Sequence, residues 1–269
     1  MSSPVRVSSL GRFARAALES GEARVIAVFE RSAYVETPAG LACVGNVGNG
    51  PLNAHCDALP SALSLGDVLS IDAAGATLWQ PVRARAFDAG TVTGGLCRLR
   101  ADALSRVPHE GFAFLLDPVR EVPMSIRALA RWLAEPSGRP DAAAGLIGLG
   151  PGLTPAGDDV IGGMLGALHA AGCATTAGQL SKWALPLARD ATNRISFAHL
   201  ACAAEGECGE AVNDAIVALI AGEAVDLSRI GAIGHTSGWD ALAGAALALQ
   251  ALCPPRMVQN AFLPSISTP

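Results

Sequence analysis

Hydrophobic and polar positions follow two different rhythms along the chain. Between about residues 23 and 116, short runs rich in Val, Ile, Phe and Tyr are separated by turn signals, and the runs at 24–30, 33–37, 41–44, 68–72 and 76–79 read as β-strands. Pro38-Ala39-Gly40 and Ala73-Ala74-Gly75 stand where hairpin turns belong. Strands this short and this closely spaced predict a small barrel or sandwich, with a leading helix over 9–19 packed against it. From 45 to 54, Gly45, Gly48 and Gly50 interleave with Asn46, Asn49 and Asn53 without restarting any periodicity, which predicts a flexible loop. Asn49 and Asn53 are its candidates for hydrogen-bonding a ligand, and a long surface turn is the plainer reading.

After Pro123 the spacing becomes helical. Ile126, Leu129 and Leu133 fall at i, i+3 and i+7 behind Ser125, which is placed to cap them. Pro136 to Pro140 make a linker. Val160, Ile161, Met164, Leu165 and Leu168 then form an apolar stripe, and Gly162, Gly163 and Gly166 let a neighbouring helix approach closely. Further helices are expected at 179–189, 192–204, 210–221 and 239–252, with Pro186 kinking or dividing the first. The fold class expected is therefore α+β: an N-terminal small β-barrel or sandwich-like region, followed by a C-terminal α-helical bundle. The divisions expected are 1–122, mainly β; 123–253, helical and carrying a glycine loop; and a proline-rich tail at 254–269, either a docking strap or disordered.

Composition supports a buried globular core and narrows the partners. Of 269 residues, 51% are hydrophobic and 16% charged, and the net charge of −5 comes without any basic cluster interleaved with aromatics. Neither nucleic acid nor an anionic membrane is an expected partner. No signal pattern or membrane-length apolar segment is evident, so the reading is a cytoplasmic protein. Seven cysteines with no C-x-x-C pair read as reduced thiols, and His199 with Cys202 on one helix face lacks the further ligands that zinc needs.

The densest chemistry lies in Gly148-Leu-Gly-Pro-Gly-Leu-Thr-Pro-Ala-Gly-Asp-Asp159, at the entrance of an apolar helix. Gly150 and Gly152 let the backbone approach a ligand, Thr154 supplies a hydroxyl, and the first turn of the helix supplies unpaired N–H groups. Asp158 and Asp159 suit the helix dipole, but beside an anion they call for a cation, and Mg2+ is the natural one. The spacing G-x-G-x-G fits neither the dinucleotide fingerprint nor the phosphate loop, whose lysine is missing because Lys182 is the chain's only one. No nucleotide cofactor is expected. A plain Asp-capped helix after a turn would account for the same residues.

A second glycine-bracketed turn, Gly234-His-Thr-Ser-Gly-Trp-Asp240, mirrors the first. Ser237 and Asp240 approximate a capping box, whereas His235 and Thr236 project from the loop, His235 as a proton carrier or oxyanion donor. Thr192, Ser196 and His199 share a helix face that meets either solvent or a wet cavity, and Arg194 beside them is the best anion-pairing candidate. Ser196, His199 and an aspartate do not make a hydrolase triad, because no G-x-S-x-G elbow presents the serine.

These motifs resemble a bacterial family long described as a domain of unknown function, whose best-known members are the AllH (YlbF)-type subunits of oxamate carbamoyltransferase. The resemblance rests on Gly148-x-Gly150-x-Gly152-Leu-Thr-Pro-x-Gly157-Asp-Asp159, on Thr192-x-x-Ile195-Ser196 and on Gly234-His-Thr-Ser-Gly-x-Asp240. Weaker similarity runs back through Val28-Phe-Glu-Arg31, Tyr34-Val-Glu36 and Gly50-Pro-Leu-Asn53, so it spans about residues 10–252. It implies a role in purine (allantoin) nitrogen catabolism, in a multi-subunit enzyme that interconverts oxamate plus carbamoyl phosphate with oxalurate plus phosphate. Partner subunits and a small anionic substrate follow from it.

On that reading Asp158, Asp159 and His235 are the candidate catalytic residues, with Asp158 and Asp159 also candidate ligands for Mg2+. Gly150, Gly152, Thr154, Asn53, Arg194, Ser196, Thr236 and Ser237 are candidates for binding a small carboxylate or carbamoyl phosphate. Two alternatives stand beside it: a non-catalytic assembly subunit, whose glycine-rich helices pack against a partner, and a stand-alone Mg2+-dependent hydrolase of small acids.

Overall fold

Residues 4–117 and 119–253 are described by the computed structural model of the chain, so the expectation for the 254–269 tail lies outside the described residues. The chain divides into two units, Met1–Pro81 with Glu207–Glu210, and Val82–Gly206 with Ala211–Pro269.

In the first unit the strands are β1 (Val5–Arg6), β2 (Ser9–Leu10), β3 (Ala23–Val28), β4 (Ser32–Thr37), β5 (Gly40–Gly45), β6 (Asn53–His55), β7 (Val68–Leu69), β8 (Ile71–Asp72) and β9 (Thr77–Leu78), with helix α1 (Arg12–Leu18) after β2. Seven of them form one sheet in the order β7-β3-β4-β5-β6-β2-β9, and β1 and β8 pair separately. The large sheet stays open, so the barrel expectation is not met, while the α+β class is. Alternation in β4 points Ala33 and Val35 into the core, and β5, in the middle, is buried from Leu41 to Gly45, which explains its unbroken run of small and apolar residues.

Pro38-Ala39 does turn a hairpin, Thr37 pairing with Gly40. Ala73-Ala74-Gly75 turns the chain but makes no hairpin, because β8 pairs with β1 and β9 with β2. The run at 68–72 is likewise two strands: at Ser70, whose carbonyl accepts from Val5 N, the chain leaves β3 for β1. The loop expected to be flexible is pinned. The Pro51 carbonyl accepts from the N–H groups of Phe13 and Ala14, capping α1, and Asn53 Nδ2 donates to the Gly48 carbonyl at 2.7 Å. Glu207–Glu210 joins the same unit: Arg12 Nε meets Glu207 Oε1 at 2.7 Å, and Asn49 Nδ2 donates to Glu210 Oε1 at 3.0 Å.

The second unit comprises α2 (Ala89–Ala103), α3 (Met124–Ala134), α4 (Ala156–Ala170), α5 (Ala174–Ala191), α6 (Arg194–Ala204), α7 (Glu210–Ala221), α8 (Leu227–Gly231) and α9 (Ser237–Ala251), with 3-10 turns at Ala113–Leu116 and Asp141–Leu146. Residues 89–103 were expected in the β region. They are helical because Asp88 caps them, its carboxylate accepting from Thr91 N and Thr91 Oγ1, and because Val92, Leu96, Leu99 and Ala103 share one buried face. Ser125 is inside α3 rather than its cap, since Pro123 holds that position. Pro186 does not divide α5, which continues from Ala174 to Ala191.

At the centre α4 and α9 cross. A Cβ on Gly163 would lie 1.9 Å from the Ala241 carbonyl oxygen, and one on Gly244 would lie 2.0 Å from that of Val160. The two backbones therefore touch, and at these crossing points the glycines of α4 serve packing within the chain.

Candidate functional site

Three helices of the second unit begin around the glycine loop. Helix α4 starts directly after it. The first turn of α6 is tied to it through Asn193, whose Nδ2 donates to the Leu153 carbonyl at 2.9 Å while its Oδ1 accepts from Ile195 N and Ser196 N. The start of α9 is tied by the hydroxyls of Thr154 and Ser237, 2.7 Å apart. Each helix start contributes a partial positive charge, although the N–H groups of Gly157, Asp158 and Asp159 in α4 and of Ile195 and Ser196 in α6 already have acceptors within the chain.

Within the loop, Gly148, Gly150 and Gly152 all have φ in the left-handed region, at 73°, 121° and 92°. A Cβ on Gly148 would strike the Ala191 carbonyl and one on Gly150 the Ala156 N–H, whereas Gly152 faces open space. The first two glycines thus fix the path of the loop, and Gly152 leaves its rim clear.

The adjacent aspartates are in unlike surroundings. Asp158, 2% exposed, accepts from Gly148 N at 2.8 Å through Oδ1, and from Thr192 Oγ1 at 2.5 Å and Ser196 Oγ at 2.6 Å through Oδ2. Three donors bind this carboxylate, which fastens loop, α4 and α6 to one another. Asp159 points elsewhere. Burial raises its pKa well above the ordinary carboxylate range; the Ser237 and Thr154 hydroxyls oppose that shift, and the nearby Asp240 and Asp158 reinforce it. Its Oδ2 is shielded from solvent and has no hydrogen-bond partner.

Asp240, fully buried on α9, is not the capping residue its spacing suggested. Its Oδ1 accepts from Phe112 N, 128 residues away, and burial raises its pKa too, while its Oδ2 is unpartnered. Gly111, with φ at 71°, lies so close to this carboxyl that a Cβ would meet Oδ1 at 2.5 Å. Sequence reasoning missed the 110–112 segment altogether; a lone glycine flanked by Glu110 and Phe112 was the only signal.

The structure brings Thr154, Asp158, Asp159, Ser196 and Ser237 together around the loop. His235 is exposed at its edge, with Nε2 2.8 Å from Glu110 Oε2. Thr236 occupies the position before α9 and makes a side-chain hydrogen bond with Asp240. Arg194 is exposed in the first turn of α6. His199, on the same helix, has its pKa lowered by burial to about 4. Asn53 is in the first unit, holding its own loop.

Mg2+ takes about six oxygen ligands, with geometry close to octahedral. Asp158 is engaged by three donors, Asp159 and Asp240 bring one unpartnered oxygen each, and among the described residues no group of three or more His, Cys, Asp or Glu is arranged to hold a metal. This donor set does not fit a protein-held Mg2+.

No described helix is long and apolar enough to cross a membrane. No curated protein and no solved structure gives a significant match. Residues 146–249, the stretch holding the loop, the three helix starts and all of these carboxylates, match the model of the family described as oxamate carbamoyltransferase subunit AllH.

Proposed function

We propose that the chain works in the cytoplasm as one subunit of a carbamoyltransferase complex of purine-nitrogen breakdown, and that the glycine loop and the start of α9 bind its small substrates. The observation that carries this reading is the convergence of three helix N-termini with Thr154, Ser237 and Asp159 inside the matched domain. The partial positive charge of these helix starts suits a carboxylate or the phosphate of carbamoyl phosphate, and hydroxyls and a carboxyl suit the amide.

Carbamoyl transfer joins the amide nitrogen of the acceptor to the carbamoyl carbon as the bond from that carbon to the phosphate oxygen breaks. Phosphate leaves with the bonding pair and the nitrogen gives up a proton. His235, oriented by Glu110, takes that proton, Thr236 and the helix N-termini steady the carbonyl oxygen, and Asp158 holds the loop in place. No covalent nucleophile is needed. The family is described as a subunit, which supports partner chains, and Leu149 and Leu153, exposed on the same loop, offer them apolar contact.

The test is thermal unfolding of the purified chain titrated with oxamate and with carbamoyl phosphate. A saturable rise in Tm that is lost in a Thr154→Val, Ser237→Ala double variant is the expected result, because a ligand that binds only the native state stabilises it. No rise with either ligand supports the assembly-subunit reading instead.

A further inference from the structure

We infer that Asp159 reads the N–H-bearing end of the substrate, a primary carboxamide or ureido group, and that the anionic end is held elsewhere in the site. The inference rests on the functional reading above and names which part of the ligand goes where. Its first ground is charge. The groups that act electrostatically on Asp159 are Asp240 and Asp158, with no arginine, lysine or histidine among them, and Asp240 is acted on by burial and by N–H and O–H donors alone. A phosphate or carboxylate seated against these carboxyls would find no cationic side chain to pair with.

The second ground is the pattern of used and unused hydrogen-bonding capacity. Thr154 and Ser237 hydroxyls already serve one side of Asp159, while its Oδ2 is shielded from water and unpartnered, and Oδ2 of the fully buried Asp240 is unpartnered as well. Buried polar atoms without partners carry a standing cost that a matching ligand removes. A carboxyl group offers two oxygens about one amide width apart. Against –CO–NH2 the unpartnered Oδ2 accepts from the amide N–H or, when the carboxyl is protonated there, donates to the amide carbonyl. Gly152, two residues before Thr154, has no neighbour within 4 Å of a Cβ position, so the rim of the loop is open there.

The test compares binding to the full chain, by calorimetry, of oxamate, N,N-dimethyloxamate and oxalate. These share a carboxylate and differ in the second group, which has N–H, has none, or is a second anion. The expected result is that oxamate binds at least about tenfold more tightly than either analogue, that Asp159→Asn, which keeps a donor and an acceptor, retains the preference, and that Asp159→Ala loses it. Equal binding of oxamate and the dimethyl analogue by wild type overturns the inference while leaving the site reading intact. So does a preference that survives Asp159→Ala. Binding of none of the three overturns the site reading and the inference with it. Asp159→Asn guards against misfolding, because a foldable variant that keeps the shape must keep the discrimination.

Discussion

At Gly40 in the first unit φ is 140° and a Cβ would meet nothing, whereas Gly163 and Gly244 in the second unit lie mid-helix with a neighbour's carbonyl where a side chain would be. The same residue serves conformation at the β4–β5 hairpin and contact at the α4–α9 crossing. The hairpin has space for extra atoms at Gly40 if the backbone strain is met. The α4–α9 crossing, which supports both acidic helix starts of the site, has no room at all.

The sharpest way to break that contrast is to add a side chain in each region. Gly163→Leu is expected to cost more than about 4 kcal/mol and to abolish cooperative unfolding, since the helices must part. Gly40→Ala should cost only about 1–2 kcal/mol, all of it backbone strain. Urea denaturation of both variants checks the pair, and similar losses would mean that contact is not what the helical glycines supply.

Next in size is the anchor. Asp158→Ala leaves Gly148 N, Thr192 Oγ1 and Ser196 Oγ without their acceptor and should cost about 3 kcal/mol, a few times the effect of removing an ordinary surface carboxylate. If Asp158→Ala unfolds at the same urea concentration as wild type, the three hydrogen bonds do not hold the loop.

Smallest, and most informative about the neighbouring residues, is the pH profile. His199 has its pKa lowered from 6.5 to about 4, so between those values the unfolded chain binds a proton that the folded chain does not, and stability falls as pH drops through the window by about 1–3 kcal/mol. Asp159 has the opposite sign. Its raised folded pKa keeps a proton that the unfolded chain has lost, so its contribution is complete below the ordinary carboxylate range and fades as pH rises towards the folded value. Asp159→Asn should therefore flatten the upper side of the profile, and His199→Leu the acid side. A profile unchanged by Asp159→Asn would show that this carboxyl is not held protonated.

What was legible in the sequence was what repeats locally. The Pro38-Ala39 hairpin and the helix Glu210–Ala221 were readable because turn chemistry, and the apolar stripe of Val212, Ile216, Leu219 and Ile220, each lie within one window. Helix α2 was not, because β-branched and glycine residues mask the spacing of Val92, Leu96 and Leu99, although Asp88 stood at its start as a cap. The site was legible as a pair of glycine loops but not as an arrangement. Asp158 and Asp159 are indistinguishable in sequence, and what separates them are partners up to 38 residues away for one and a hydroxyl on α9 for the other. Asp240 looked like a cap because its true partner, Phe112 N, is nowhere near it along the chain.

The short return of Glu207–Glu210 to the first unit has a bearing on how the chain is made. Arg12 emerges from the ribosome 195 residues before the glutamate it pairs with, and Asn49 emerges 161 residues before Glu210. The β-rich unit therefore waits for most of the helical one to be translated before its last polar contacts can close. A gene fragment that stops at Pro81 would encode every strand of the sheet and still leave those two side chains without their partners.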